Sequence, residues 1–218
     1  MKKTTIMFAV VGMLSALQSQ AALTIHFDGT YDHPTGGGPI GVALNGTTTF
    51  NSVNFSFDDS KFTTFCVEKH VIVYVPRDYD ATLDFAAQGG GDGAVSGADP
   101  ISIGTAYLYR QWIAGNTTLN NKGTEVQQAI WTLEDEQTDV IPKDIDDFLK
   151  AGLPNTDWKA DAKGAYGVYA VNVWANADHT GDLQSQLVAV PEPNTLIAGA
   201  LVLLPFTLSM VRSFRRKS

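Results

Sequence analysis

Hydrophobic and polar residues alternate along the first third of the chain with the two-residue period of β-strands. Phe55 and Phe57 alternate with polar neighbours, the pattern of a strand with one buried face. Residues 62–75 form a longer β-prone segment that ends in five consecutive apolar residues, beginning at Val71. A run that is apolar on both faces predicts a central strand covered on both sides. We therefore expect residues 23–75 to form several strands.

The middle of the chain changes to the period of an α-helix. Four apolar side chains recur at helical spacing: Ala106, Tyr109, Trp112 and Ile113. The pair Asp99-Pro100 before them is typical of an N-cap and a first turn, and Gly115 is typical of a helix end. The Gly-rich residues 88–97 precede this helix and are expected to form a surface connection.

Two further helices and a return to strands are expected after Gly115. Thr124 is a candidate N-cap for the second helix, and residues 142–150 predict the third. The acidic run at 134–139 is interpreted as a solvated helix end. Residues 166–174 and 187–190 are β-prone. Strands, an inserted helical portion and further strands predict an α+β fold dominated by a β-sandwich or β-barrel.

The N-terminus has the layout of a secretory signal peptide. Two lysines follow Met1, residues 6–17 are apolar, and Ser19-Gln20-Ala21 supplies small residues at both recognition positions. Cleavage is expected after Ala21, so the signal peptide spans 1–21.

The C-terminus combines three elements in order. Pro191-Glu192-Pro193 precedes an apolar segment at 196–211, and a cluster of three arginines and a lysine closes the chain. An apolar segment followed by basic residues is a stop-transfer arrangement, although this segment is marginal in length for a transmembrane helix. The tail, residues 189–218, resembles the PEP-CTERM sorting signal of Gram-negative bacteria. The resemblance implies a transient inner-membrane anchor, processing by an exosortase near the motif, and release to the cell surface or extracellular matrix.

Removal of both ends makes the mature region strongly acidic. The ends take six of the 15 basic residues and one of the 23 acidic residues, which leaves 9 and 22, a net charge of −13. Such a domain is expected to be soluble and to repel nucleic acid and anionic membrane surfaces.

Cys66 is the only cysteine in a chain that carries export signals. Exported proteins usually pair their cysteines, so an odd one indicates an intermolecular disulfide, a free thiol or less common chemistry. Cys66 lies in the run Phe-Cys-Val-Glu at 65–68, and the run Val-Gln-Gln-Ala-Ile-Trp follows at 126–131. Together these runs resemble the paired signature of bacterial thioester domains, known from surface adhesins. The resemblance implies a thioester domain at 22–188 with a cross-link between Cys66 and Gln127.

Two simpler interpretations of these residues remain open. Thr124 and Gln127 also fit a capping box, in which Gln127 satisfies the backbone of Thr124. Cys66 also fits a buried, inert core residue.

Glu68 and His70 are candidates for assisting proton transfer, because on a strand they would share a face with Cys66. The same alternation would suit a Cys-His nucleophile, but a metal site is not expected from ligands on one straight strand. No cofactor is expected.

The expected function is covalent attachment to an amine or another nucleophile on a cell surface or matrix. Each molecule would react once, so the protein is not expected to be an enzyme. The alternative function is a non-reactive structural protein of the biofilm or exopolysaccharide matrix.

Overall fold

The computed structural model describes residues 22–31, 38–88 and 97–190. The predicted signal peptide at 1–21, the motif Pro191-Glu192-Pro193 and the apolar segment at 196–211 lie outside the described residues. The strands are β1 (Thr24–Tyr31), β2 (Ile40–Phe50), β3 (Val53–Thr64), β4 (Arg77–Asp84), β5 (Ala86–Gln88), β6 (Ala98–Pro100), β7 (Val168–Trp174) and β8 (Asp182–Ala189). The helices are α1 (Ile103–Ile113), α2 (Gly123–Leu133) and α3 (Lys143–Gly152), and a 3-10 turn at Ala165–Gly167 precedes β7.

Six strands form one antiparallel sheet in the order β3-β2-β1-β4-β7-β8. Strands β5 and β6 pair separately, and the three helices lie between β6 and β7 in the chain. The predicted mixed α+β class, with a β-rich portion and an inserted helical portion, is confirmed. Within the described ranges, no helix is long and apolar enough to cross a membrane.

The two edges of this sheet meet just after β3. Val67 N–H donates to Ser185 O at 3.0 Å, and Leu187 N–H donates to Phe65 O at 3.1 Å. Cys66 is therefore paired with Gln186 of β8. This pairing covers part of the edge that β8 would otherwise present to solvent.

Residues 65–67 separate two hydrophobic cores, because side chains on an extended chain point alternately to opposite sides. The helix core contains Phe65, Val67, Tyr109, Ile130, Leu149 and Leu187 among its members. The sheet core contains Ile25, Phe27, Leu44, Cys66, Leu83 and Val188 among its members. Cys66 thus lies at the boundary between the two cores.

The predicted central strand at 71–75 is wrong. These residues are not in any strand, and Ile72 and Tyr74 are 63% and 66% exposed. Both sides of β4 are occupied by β1 and β7, so this segment cannot pair with the strand that follows it. The hydroxyl of Tyr79 binds the segment instead: it donates to Tyr74 O at 2.8 Å and accepts from Tyr74 N–H at 3.1 Å.

The predicted helix starts also need correction. Ser102, rather than Asp99, is the N-cap of α1, and its Oγ accepts from Thr105 N–H at 3.2 Å. Asp99 and Pro100 lie in β6. The N-cap of α2 is Lys122 rather than Thr124, and no side chain caps that helix.

The remaining predicted elements are present with shifted ends. α3 extends to Gly152, β7 begins at Val168 instead of 166, and β8 is longer than the predicted segment at 187–190.

Candidate functional site

The sheet leaves the backbone N–H and C=O of Cys66 without a partner. Because the flanking residues Phe65 and Val67 make the bonds to β8, Cys66 and Gln186 form the type of antiparallel pair that exchanges no backbone hydrogen bond. The N–H and C=O of Cys66 therefore point away from β8. Buried backbone groups of this kind require another partner.

The side chain of Gln127 is that partner. Cys66 N–H donates to Gln127 Oε1 at 3.0 Å, and Gln127 Nε2 donates to Cys66 O at 2.8 Å. The carboxamide thus binds Cys66 as a neighbouring strand would, across 61 positions of sequence. The capping-box interpretation of Gln127 is wrong, because its carboxamide binds Cys66 and α2 has no side-chain cap.

Gly123 allows α2 to start close to the sheet. A Cβ atom built on Gly123 would lie 2.5 Å from Pro39 Cδ, which is shorter than real Cβ contacts. Gln127 follows one helical turn later and is fully buried. The adjacent Gln128 is only partly buried, which agrees with its different direction on the helix.

The thiol of Cys66 is 5% exposed. Burial raises its pKa to about 12, against a smaller opposite effect of a hydrogen bond from Gln186. A thiol with this pKa is protonated at neutral pH and is a poor nucleophile without a base.

Gln186 contacts the sulfur and was not identified from the sequence. Its Nε2 donates to Cys66 Sγ at 3.7 Å and to Gln184 O at 3.2 Å. The signal in the sequence was a pair of glutamines, 184 and 186, just before an apolar strand end. It was missed because the last strand was predicted to start at 187.

Glu68 follows Cys66 by two residues. It is buried, but it does not lie on a regular strand. Its Oε2 accepts from Ser185 N–H at 2.6 Å. Burial raises the pKa of Glu68 to about 7, and the Glu68 charge in turn raises the pKa of Cys66. The structure thus brings Cys66 and Gln127 into contact and buries Glu68 two residues further along the chain.

Three more buried carboxyl groups surround the ends of the helices: Asp99, Glu134 and Glu136. With Glu68 they form what we call the buried acidic group. Glu134 Oε1 accepts from Ser102 N–H at 3.1 Å and from Ser102 Oγ at 2.7 Å, and Glu136 Oε2 accepts from Lys69 N–H at 2.8 Å. The expectation that 134–139 is a solvated helix end is therefore wrong for Glu134 and Glu136.

The pKa values of three members of this group, Glu68, Asp99 and Glu134, are raised because burial penalises the charged form. The pKa of Asp99 rises to about 8, and the negative charges of Glu134, Glu136 and Glu68 add to the effect of burial. The pKa of Glu134 rises to about 7, again mainly through burial.

His70 is exposed and is not buried with Cys66. His26 and His179 are exposed as well, and His26 Nδ1 binds Asp78 Oδ1 at 2.6 Å. The described residues therefore show no histidine buried at the thiol that would support a Cys-His nucleophile. They also contain no group of three or more His, Cys, Asp or Glu side chains arranged to hold a metal ion.

Comparison of the chain with protein-family models, curated proteins and solved structures gave no match.

Proposed function

We propose that this protein is exported and attaches covalently to a nucleophile on a cell surface or matrix through an internal thioester between Cys66 and Gln127. The observation that carries the proposal is the pair of hydrogen bonds between the Gln127 carboxamide and the backbone of Cys66, at 3.0 Å and 2.8 Å. These bonds place the amide carbon beside the residue that bears the thiol. Such positioning raises the effective concentration of two groups that do not react in free solution.

The hydrogen bonds of the carboxamide suit the charges that would develop on it during attack by sulfur. Cys66 N–H donates to the carbonyl oxygen of Gln127, so it would stabilise the negative charge that develops there when sulfur adds to the carbon. Cys66 O accepts from the Gln127 nitrogen, which is the leaving group.

Glu68 is the proposed proton carrier for this reaction. Its carboxylate takes the proton of the Cys66 thiol as sulfur adds to the Gln127 amide carbon. The carboxylic acid then returns that proton to the amide nitrogen, the carbon–nitrogen bond breaks, and ammonia leaves. A pKa of about 7 suits both steps near neutral pH.

The product is an activated acyl group that reacts once. An amine on the target forms an amide with the Gln127 carbonyl and releases the Cys66 thiol. The protein is therefore a reagent with a single turnover, and we do not assign it an enzymatic activity.

The export part of the proposal rests on the sequence. We propose that residues 1–21 direct secretion and that Pro191-Glu192-Pro193 with the segment at 196–211 forms a transient inner-membrane anchor that an exosortase removes. The meeting of the sheet edges at Cys66 supports a barrel-like description of the domain at 22–188.

A second candidate function is a non-reactive structural protein of the biofilm or exopolysaccharide matrix. The observation that favours it is the complete burial of Gln127, whose carboxamide already satisfies two backbone groups. The need to satisfy these two buried backbone groups explains a glutamine at 127 without any covalent reaction.

Intact mass of the purified protein separates the two functions. The thioester makes the protein one ammonia lighter than its sequence mass, and Cys66→Ala restores the sequence mass of that variant. Methylamine should add to Gln127 and expose one thiol per adduct, and Gln128→Ala should react as the wild type does. An unmodified mass with no methylamine adduct would reject the thioester and leave the structural function.

A further inference from the structure

We propose that Gln186 also belongs to the Cys66–Gln127 centre, where its Nε2 donates to the sulfur and stabilises the thiolate that leaves when the thioester is attacked. The inference rests on the proposed function and extends it to the residue that controls the rate of acyl transfer.

The contact follows from the strand pairing. Side chains of a pair that exchanges no backbone hydrogen bonds are the closest type across an antiparallel ladder. Gln186 therefore faces Cys66 on the same side of the sheet, and its Nε2 lies 3.7 Å from Sγ. Sulfur acceptors are large, so this distance is within the range of a hydrogen bond.

The orientation of the Gln186 carboxamide is fixed by a second acceptor. Nε2 also donates to Gln184 O at 3.2 Å. A flipped carboxamide would place an oxygen against Gln184 O, so the end that faces the sulfur is the donor.

Stability alone does not account for this residue. Gln186 is fully buried in a strand whose next inward-facing residue is Val188 of the sheet core, and its Oε1 has no hydrogen-bond partner among the described residues. A buried polar atom without a partner costs about 1–3 kcal/mol. An apolar side chain at 186 would avoid that cost but would give the sulfur no donor.

The donor acts on the step in which the cross-link opens. The attacking amine forms a carbon–nitrogen bond to the Gln127 carbonyl, and the carbon–sulfur bond breaks with its electron pair on sulfur. The proton lost by the amine ends on that sulfur. A hydrogen bond from Nε2 is stronger to the developing thiolate than to the thioester sulfur, so it lowers the barrier.

Methylamine reactivity of the full-length protein tests this assignment. Gln186→Met keeps the length of the side chain and removes the donor, and we expect the second-order rate of methylamine addition to fall about tenfold. Gln184→Met is the matched control, because Gln184 is buried on the same side of the same strand and donates to Glu68 O instead of to sulfur. Its rate should stay within about twofold of the wild type.

A second variant gives a readout that a merely structural role would not change. In Gln186→Glu the side chain donates only while it is protonated, and its carboxylate repels the leaving thiolate. The rate relative to that of the wild type at the same pH should therefore fall as pH rises. For Gln186→Met, by contrast, the relative rate should be independent of pH.

The outcomes separate this inference from the proposed function. A wild-type protein that loses ammonia, together with equal rates for Gln186→Met and Gln184→Met, would overturn the role of Gln186 and leave the thioester in place. A wild-type protein with an unmodified mass would overturn both. A folded Gln186→Met variant that never loses ammonia supports the role, since the same donor also assists the formation of the bond. If Gln186→Met does not fold, a pH-independent relative rate for Gln186→Glu would overturn the role.

Discussion

The two cores of the molecule differ in what they bury along with their apolar side chains. Strands β1 to β4 supply most of the sheet core, and no carboxyl group on the described residues of these strands is fully buried. Three of the four members of the buried acidic group flank the helices instead: Asp99 lies just before α1, Glu134 and Glu136 follow α2, and Glu134 binds Ser102, the N-cap of α1. The comparison indicates that the sheet supplies stability that does not depend on pH, whereas the helical side is sensitive to protonation.

Loss of a large side chain from the sheet core should have the largest effect. Phe27 is fully buried, and its ring packs edge-on against Tyr79 with a centroid distance of 6.0 Å. Phe27→Ala should lower the free energy of unfolding by about 3–5 kcal/mol, with the same loss at about pH 5 and about pH 8. Urea unfolding at both pH values measures this loss. A loss that differs between them would show that the sheet core is coupled to the acidic group.

Removal of the bridge between the cores should have the next largest effect. In a Cys66→Ala background, where no thioester forms, Gln127→Leu leaves the N–H and C=O of residue 66 without partners. The free energy of unfolding should fall by about 3 kcal/mol, whereas Gln128→Leu should change it by at most about 0.5 kcal/mol. Equal effects of the two variants would mean that the carboxamide of Gln127 contributes nothing to stability.

The wild-type protein should lose stability as pH rises. The pKa values of Glu68, Asp99 and Glu134 are raised in the folded state, from 4.5, 3.8 and 4.5 to about 7, 8 and 7. Between these limits the folded state holds more protons than the unfolded state. The free energy of unfolding should therefore fall as pH rises from about pH 4, and it should level off only above the folded-state pKa of about 8 of Asp99. Stability that increases over this range in urea titrations would contradict the raised values.

Neutralising one member of the acidic group should reduce that pH dependence. Asp99 Oδ2 is buried without a hydrogen-bond partner among the described residues, and the negative charges of four carboxylates raise its pKa further. Asp99→Asn should stabilise the protein by about 1–2 kcal/mol at about pH 8 and should have little effect at about pH 4. Asp147→Asn is the control, because Asp147 is exposed and pairs with Lys143, away from the acidic group. A similar gain from both variants would point to net charge rather than to burial.

The sequence was informative where local patterns and tertiary contacts agree. It predicted the α+β class and three helices, because apolar periodicity reports which faces are buried. It also selected Cys66 and Gln127, which the structure places in contact, although whether a thioester forms stays a prediction. The paired motif carried that selection, since nothing local to either residue indicates a contact across 61 positions.

The sequence-based predictions were wrong or incomplete where contacts between distant residues determine whether a segment is buried or paired. The apolar residues at 71–75 have the composition of a strand, but β1 and β7 occupy both sides of β4, so these residues cannot pair with the strand that follows them. The acidic residues Glu134 and Glu136 follow a helix and resemble a solvated end, yet they are buried because Ser102 N–H and Lys69 N–H donate to them. Gln186 was overlooked because its importance depends on the strand that faces it.

The close approach of Gly123 to Pro39 makes the site intolerant of a single added methyl group. In Gly123→Ala the new atom would meet Pro39 Cδ at 2.5 Å, so the start of α2 would have to retreat from the sheet. The carboxamide of Gln127, one turn further along, would retreat with it, and a displacement of about 1 Å is enough to slow a positioned reaction by about a hundredfold. Gly123 takes no part in the chemistry, yet it sets how close the Gln127 amide carbon lies to Cys66.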